Sequence, residues 1–360
     1  MFPLLQLPFL CIQEVTDQWE LVQLYQISLL SKRARRILKK KKSCYSEVTL
    51  ILSCRTLVIK SDNEEESILY FRRDRFKKYP ECDYDNDPER KEDRSNYSPF
   101  FQETQHIMNV FNCPFRKIEL DLKSPLTDNQ LILFIDWLNG IKTEIREVCI
   151  DSFSRRMFEI FMNRFQRSIE DLEVYELIFS DVEREPINSN RLNFEIQRSF
   201  FVDCSEWFNL EFLLSMDSEQ ILANGMKLSA EDMNVFLRSW QEGKTNRNLK
   251  MLKITTGSTS DMKKVVKDCG AELIDPRTAK FKHTHFRDRE SHDRWICGGI
   301  HIRRNDGRLA IIQTRNHEYL TEDENITQEQ IQKYLVEKEI WNSEKNHEEW
   351  YKKWLGVYFI

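Results

Sequence analysis

Three groups of residues have types and spacings that chemistry could use. His283-Thr-His285, followed by His292 and Cys297, is the most metal-like. Alternate residues of a strand project to one side, so the first two imidazoles could approach one ion. Zinc needs a further ligand pair at a familiar spacing; none follows, and ordinary surface histidines account for the cluster. Asp83-Tyr-Asp85-Asn-Asp87 imitates the opening of a calcium loop. Pro88 then stands where that loop turns on Gly, and Arg94 where it needs a bidentate Glu, so calcium is not expected. The basic run Lys32–Lys42 holds eight Lys or Arg in eleven residues. It could serve as a nuclear-import signal or an anion-binding arm; the favoured reading is the solvated face and end of a helix, where lysines suit the dipole.

Motifs for nucleophilic or phosphate chemistry are missing. The sequence has no G-x-S-x-G, no G-x-x-x-x-G-K-[ST], no G-x-G-x-x-G and no H-E-x-x-H. No catalytic residue, metal or cofactor is therefore expected, and the chain is read as a non-enzyme.

Composition narrows the classes further. Gly and Pro number only 9 each in 360 residues, which excludes collagen-like and low-complexity architectures, and aromatics at 12% exclude wholesale disorder. The formal charge of −5 provides no global basic field for nucleic acid, so such a partner could rest only on residues 32–42. Nine cysteines are scattered without any C-x-x-C pair and read as reduced thiols of a cytoplasmic or nuclear protein. No run approaches the about 18 apolar residues of a membrane helix. Met1–Ile12 has the apolarity of a signal peptide but lacks its basic flank and cleavage site, so secretion is not expected. The sequons at Asn96 and Asn325 are then chance matches.

Around these groups, the first element set is helical and short. After Leu7-Pro8, the positions Phe9, Ile12, Val15 and Trp19 recur at helical spacing, and Leu21, Leu24, Ile27 and Leu29-Leu30 form a second stripe. Pro8 suits a helix start, where its missing N–H would go unpaired anyway. Such helices have too little core to stand alone and need a partner surface, in this chain or another. Leu7-Pro8, Glu14-Val15 and Gln23-Leu24-Tyr-Gln-Ile27-Ser-Leu29-Leu-Ser31-Lys-Arg33 together resemble the F-box of nematode-type F-box proteins. The resemblance departs at Gln23, usually Glu, and at Leu21, often Pro. It implies docking to the Skp-family adaptor of a cullin–RING (SCF-type) ubiquitin ligase, with Leu7, Pro8, Val15, Leu24, Ile27 and Leu29 as contact residues.

Downstream, Val48–Leu52 and Thr56–Ile59 read as a hairpin, and residues 60–98 as a mixed-charge insertion or linker. From about residue 114, strands at 117–122, 147–151, 172–177, 199–203, 210–214 and 249–255 alternate with helices at 128–141, 155–165, 229–243 and 261–269. That order predicts parallel βα units in an irregular leucine-rich-repeat-like arc. Gly299–Arg303 and Leu309–Thr314 flank Asp306-Gly307, a strong hairpin signal. Thr327–Leu355 reads as a C-terminal helix with a capping box, docking Ile331, Tyr334, Leu335, Trp350 and Trp354 as a cap.

Leu213-Leu-Ser-Met216, Leu228-Ser-Ala-Glu-Asp232-Met-Asn234-Val-Phe236-Leu-Arg-Ser-Trp240-Gln-Glu-Gly243, Leu249–Ile254 and Ile302-Arg-Arg304-Asn-Asp306-Gly307-Arg-Leu-Ala310 resemble the F-box-associated domain. His301 replaces the usual Asp. On this reading the chain is α/β: an F-box at 1–46, a hairpin and connecting segment at 47–98, an F-box-associated βα domain at 99–326 and a helix at 327–360. The implied function is a substrate-recognition subunit, binding a Skp-family adaptor and cullin complex at one end and an unidentified target protein at the other. A binding scaffold outside the ligase and a nucleic-acid-associated protein using residues 32–42 are the alternatives.

Overall fold

The computed structural model describes residues 7–19, 21–40, 45–52, 56–61, 66–70, 98–111, 115–122, 126–175, 191–203, 207–287, 290–314, 320–343 and 351–360. The calcium-like stretch 83–94, Asn96, Lys41, Lys42 and Trp350 lie outside them. The chain divides into two units, Met1–Glu173 and Val174–Ile360.

In the first unit, three short helices, α1 (Phe9–Asp17), α2 (Leu21–Leu30) and α3 (Lys32–Lys40), lead into β1 (Tyr45–Ile51) and β2 (Thr56–Ser61). The expected hairpin forms, with Val48 opposite Ile59 and Leu50 opposite Leu57, all four fully buried. The presumed linker holds a third strand, β3 (Glu66–Tyr70), antiparallel to β2. Helix α4 (Ser98–Phe111) follows; its Phe100, Ile107, Met108 and Phe111 are buried at helical spacing.

β4 (Phe115–Leu122) runs parallel to β1 and to β5 (Ile145–Phe153), and β6 (Ile169–Tyr175) lies next to β5. Alternation puts Ile118, Leu120, Val148 and Ile150 in the core. Helices α5 (Asp128–Gly140) and α6 (Arg155–Arg164) connect these strands, burying Phe134, Ile135 and Leu138 and Phe158, Phe161 and Met162 respectively. α5 starts on a Thr127/Gln130 capping box, and its last carbonyls are taken by Arg167, whose guanidinium donates to Leu138 O, Ile141 O and Thr143 O.

The second unit begins with β7 (Ile196–Asp203), β8 (Gln220–Met226) and β9 (Met251–Asp261), mutually parallel. Two expectations fail here. Residues 210–214 form a helix, α7 (Leu210–Ser215), because Asn209 caps it by accepting from Phe212 N at 2.9 Å. β8 was not foreseen; its Gly225, at φ 70°, sits within a register shift of the strand.

Helix α8 (Ala230–Gln241) has the expected Ser229 cap, with Asp232 returning the hydrogen bond to complete the box. A short α9 (Met262–Val265) and β10 (Glu272–Ile274) follow. β13 (Gly299–Arg303) and β14 (Leu309–Gln313) pair about the Asp306-Gly307 turn, as expected, with Gly307 at φ 94°. A separate hairpin, β11 (Lys280–Arg287) with β12 (Glu290–Cys297), carries the histidine cluster.

The C-terminal helix is corrected in length. α10 (Gln328–Asn342) starts on the expected Thr327 box but ends at Ser343. The last residues form β15 (Tyr351–Phe359), antiparallel to both β14 and β9. The order is β7-β8-β9-β15-β14-β13-β10, so the final strand is central. Leu355, Val357, Tyr358 and Phe359 are buried together, the unbroken apolar run of a strand covered on both faces.

Candidate functional site

Among the described residues, no three His, Cys, Asp or Glu are placed to hold a metal ion, and no helix is long and apolar enough to cross a membrane. His283 is 5% exposed and packs its ring against Tyr358, 5.0 Å between centroids, so it is a core histidine rather than a surface one. Cys149 is buried, and that burial, opposed by the Lys117 ammonium, pushes its thiol up to about 12.

The N-terminal helices are the candidate. Their interior is Ile12, Leu24, Tyr25, Ala34 and Leu38, all nearly inaccessible. Outward they present large apolar side chains: Leu10 at 72% exposure, Val15 at 38%, Leu29 at 52% and Leu30 at 73%. Of the six expected contact residues, Pro8, Val15 and Leu29 are exposed, Leu7 and Ile27 are half-buried, and Leu24 is an interior residue. Pro8 sits at the start of α1, its carbonyl accepting from Ile12 N at 3.1 Å. Leu10 and Leu30 were not singled out as contacts, although both lie in the apolar runs that define the helices.

What positions this surface is α4, which sequence reading missed. Ser28 of α2 is fully buried; its hydroxyl donates to Tyr25 O at 2.6 Å and lies 2.7 Å from His106 Nε2 of α4. The His106 ring also meets Tyr25 edge to face at 5.9 Å. Burial, then the cations Arg35 and Lys39 of α3, hold His106 below its ordinary value. The spacing of Phe100, Ile107, Met108 and Phe111 was the available signal for α4. The basic run forms α3, with Ala34 and Leu38 inward and Lys32, Arg33, Arg36 and Lys39 outward.

In the second unit the motif residues converge. The guanidinium of Arg304, 11% exposed, lies 5.9 Å over the Trp240 ring and pairs with Asp306 at 3.2 Å. Gly243, at φ 70°, ends the helix beneath it; a Cβ there would meet Arg304 Nη2 at 3.0 Å. Asn234 bonds the neighbouring loop, donating to Val265 O and Lys267 O at 3.0 and 2.8 Å. His301, where the pattern has Asp, contacts Gly298 O through Nε2 and stacks edge-on against Phe281.

These features describe a mixed α/β protein whose N-terminal helices carry exposed apolar side chains. Residues 186–254 match the F-box associated family, so the chain carries an F-box associated domain in its second unit. No curated protein and no solved structure matches the chain.

Proposed function

We propose that this protein is a substrate-recognition adaptor of an SCF-type cullin–RING ubiquitin ligase. The F-box associated domain at residues 186–254 carries the reading, because such a domain belongs to F-box proteins. The exposed leucines of the N-terminal helices supply the apolar surface that the reading requires. Pro8, Leu10, Val15, Leu29 and Leu30 contact the Skp-family adaptor; Leu7 and Ile27 border the contact, and Leu24 supports it from behind. The βα domain, an irregular leucine-rich-repeat-like series, holds a target protein. Parallel pairing of β4 with β5 and of β7, β8 and β9, each step carrying a helix, supports that series. The protein contributes effective concentration and orientation, and another subunit's active site does the chemistry. The setting is cytoplasmic or nuclear. Co-purification of the full chain with a Skp-family adaptor tests the reading; failure of the intact, folded chain to retain the adaptor overturns it.

A further inference from the structure

Helix α3 has two unlike faces. At about 3.6 residues per turn, Ala34 and Leu38 fall on one side, where they are 1% and 4% exposed. Lys32, Arg36 and Lys39 line the other, with Arg33 beside them, and all four are exposed. They span about 10 Å along the helix axis. The helix contains no Asp, Glu or aromatic residue. Among the described residues, none of the four cations meets a carboxylate. Several exposed cations elsewhere do: Lys250 pairs with Glu219 at 2.8 Å, Lys264 with Glu231 at 3.3 Å and Lys282 with Asp293 at 2.7 Å. Arg35, half-buried in the same helix, has an enclosed Nε without an acceptor. The charge is felt inside the fold: after burial, Arg35 and Lys39 hold His106 below its ordinary value. The face is solvated, as expected of residues 32–42, but its cations stand unneutralised.

We infer that this face binds double-stranded DNA through its phosphates. Charge complementarity selects a polyanion, because a row of unpaired cations on a rigid helix matches repeated negative charge. Three other anionic partners fit the face less well. A protein contact needs an apolar centre, and the exposed side chains of α3 are all cations. A membrane surface is entered by the apolar side of a helix, and that side of α3, Ala34 and Leu38, is already buried. Single strands are held on aromatic platforms, which α3 lacks. Duplex DNA needs none of these. It carries one negative charge per about 1.7 Å of its axis. Its major groove admits a helix, whereas that of duplex RNA is too narrow. Binding is sequence-independent, as contacts to phosphate are. The inference goes beyond the adaptor reading and does not rest on it.

The test uses the full chain without any adaptor, so its outcome is independent of adaptor docking. Fluorescence anisotropy records binding to short labelled DNA duplexes of two unrelated sequences, with single-stranded RNA, duplex RNA and polyglutamate as competitors. Both DNA duplexes are expected to bind alike. Their affinity should fall about a hundredfold between about 50 and 200 mM salt, the loss for about four phosphate contacts. The quadruple variant Lys32→Gln/Arg33→Gln/Arg36→Gln/Lys39→Gln, checked for an unchanged circular dichroism spectrum, should lose at least about tenfold in affinity at low salt. Arg36→Gln alone, a single exposed change that leaves the fold intact, should reduce the salt slope by about one. No binding of the DNA duplexes at low salt, or binding indifferent to salt or to Arg36→Gln, would overturn the assignment. So would displacement of the DNA by either RNA or by polyglutamate at equal charge concentration.

Discussion

Ser28 and His106 lie 78 positions apart in the chain, yet Ser28 Oγ and His106 Nε2 are 2.7 Å apart in the interior of the first unit. The serine's single proton goes to Tyr25 O, so Nε2 must carry the hydrogen that completes the contact. The imidazole thereby joins α2 to α4, and the exposed leucines of α2 are held on a fixed support.

A pH dependence follows. Burial and the cations Arg35 and Lys39 lower the His106 value in the folded chain, so the unfolded chain binds that proton more readily. The stability His106 contributes is therefore present above its ordinary value near about 6.5 and is lost as pH falls below it. Glu103 of α4 acts in the opposite sense, because burial raises its carboxyl, and Tyr25 is pushed up to about 12, outside this window. Urea midpoints at neutral and mildly acidic pH should fall on acidification in the native chain and fall less in His106→Asn. Equal falls in the two proteins would contradict the account.

The helical surface separates core from contact by position. Leu24→Asp places a charge at 1% exposure and should abolish cooperative unfolding of the first unit, whereas Leu29→Asp, at 52%, should change stability by less than about 1 kcal/mol. Thermal unfolding of both variants checks this. Comparable destabilisation would place Leu29 in the interior.

Arg304, Trp240, Gly243 and Asp306 make one structural joint in the second unit. Gly243→Ala should cost about 1–2 kcal/mol for the left-handed backbone, and more because the guanidinium must move. Arg304→Ala should cost about 1–3 kcal/mol; Arg304 Nη1 has no acceptor among the described residues, which limits the loss. Denaturant midpoints measure both. A neutral Gly243→Ala would show that the helix end is not held as described.

Asn246 offers a sharper separation of terms. It stands at φ 51°, is 2% exposed, and donates to Leu213 O and Met216 O at 3.0 and 2.8 Å. Asn246→Gly should lose about 1–3 kcal/mol for the carbonyls left without donors, and Asn246→Ala about 1 kcal/mol more for strain. Equal stability of the two variants would remove the backbone contribution.

Strongly punctuated elements were readable directly from residues. Ser229 with Asp232 marks α8, Asp306-Gly307 marks the β13–β14 turn, and the alternation of Lys117–Leu122 marks β4. The misses have physical causes. Leu210–Leu214 is too short and too apolar for its period to distinguish helix from strand, and only the Asn209 cap decides it. Leu355–Phe359 looked like the tail of α10 because a strand buried on both faces shows no alternation. On the candidate surface, the apolar helices were legible but the facing of each residue was not. Leu24 is interior at 1% exposure, and α2 meets α4 through Ser28 and His106, two residues 78 positions apart.

The central claim is adaptor docking through the exposed leucines of the N-terminal helices. It is tested most directly by size-exclusion chromatography of the full chain mixed with a purified Skp-family adaptor, beside the Leu29→Asp/Leu30→Asp double variant. The account predicts an equimolar complex with the native chain and its loss in the double variant, whose circular dichroism stays native. Failure of the native chain to co-elute, or co-elution that persists in the folded double variant, would contradict it.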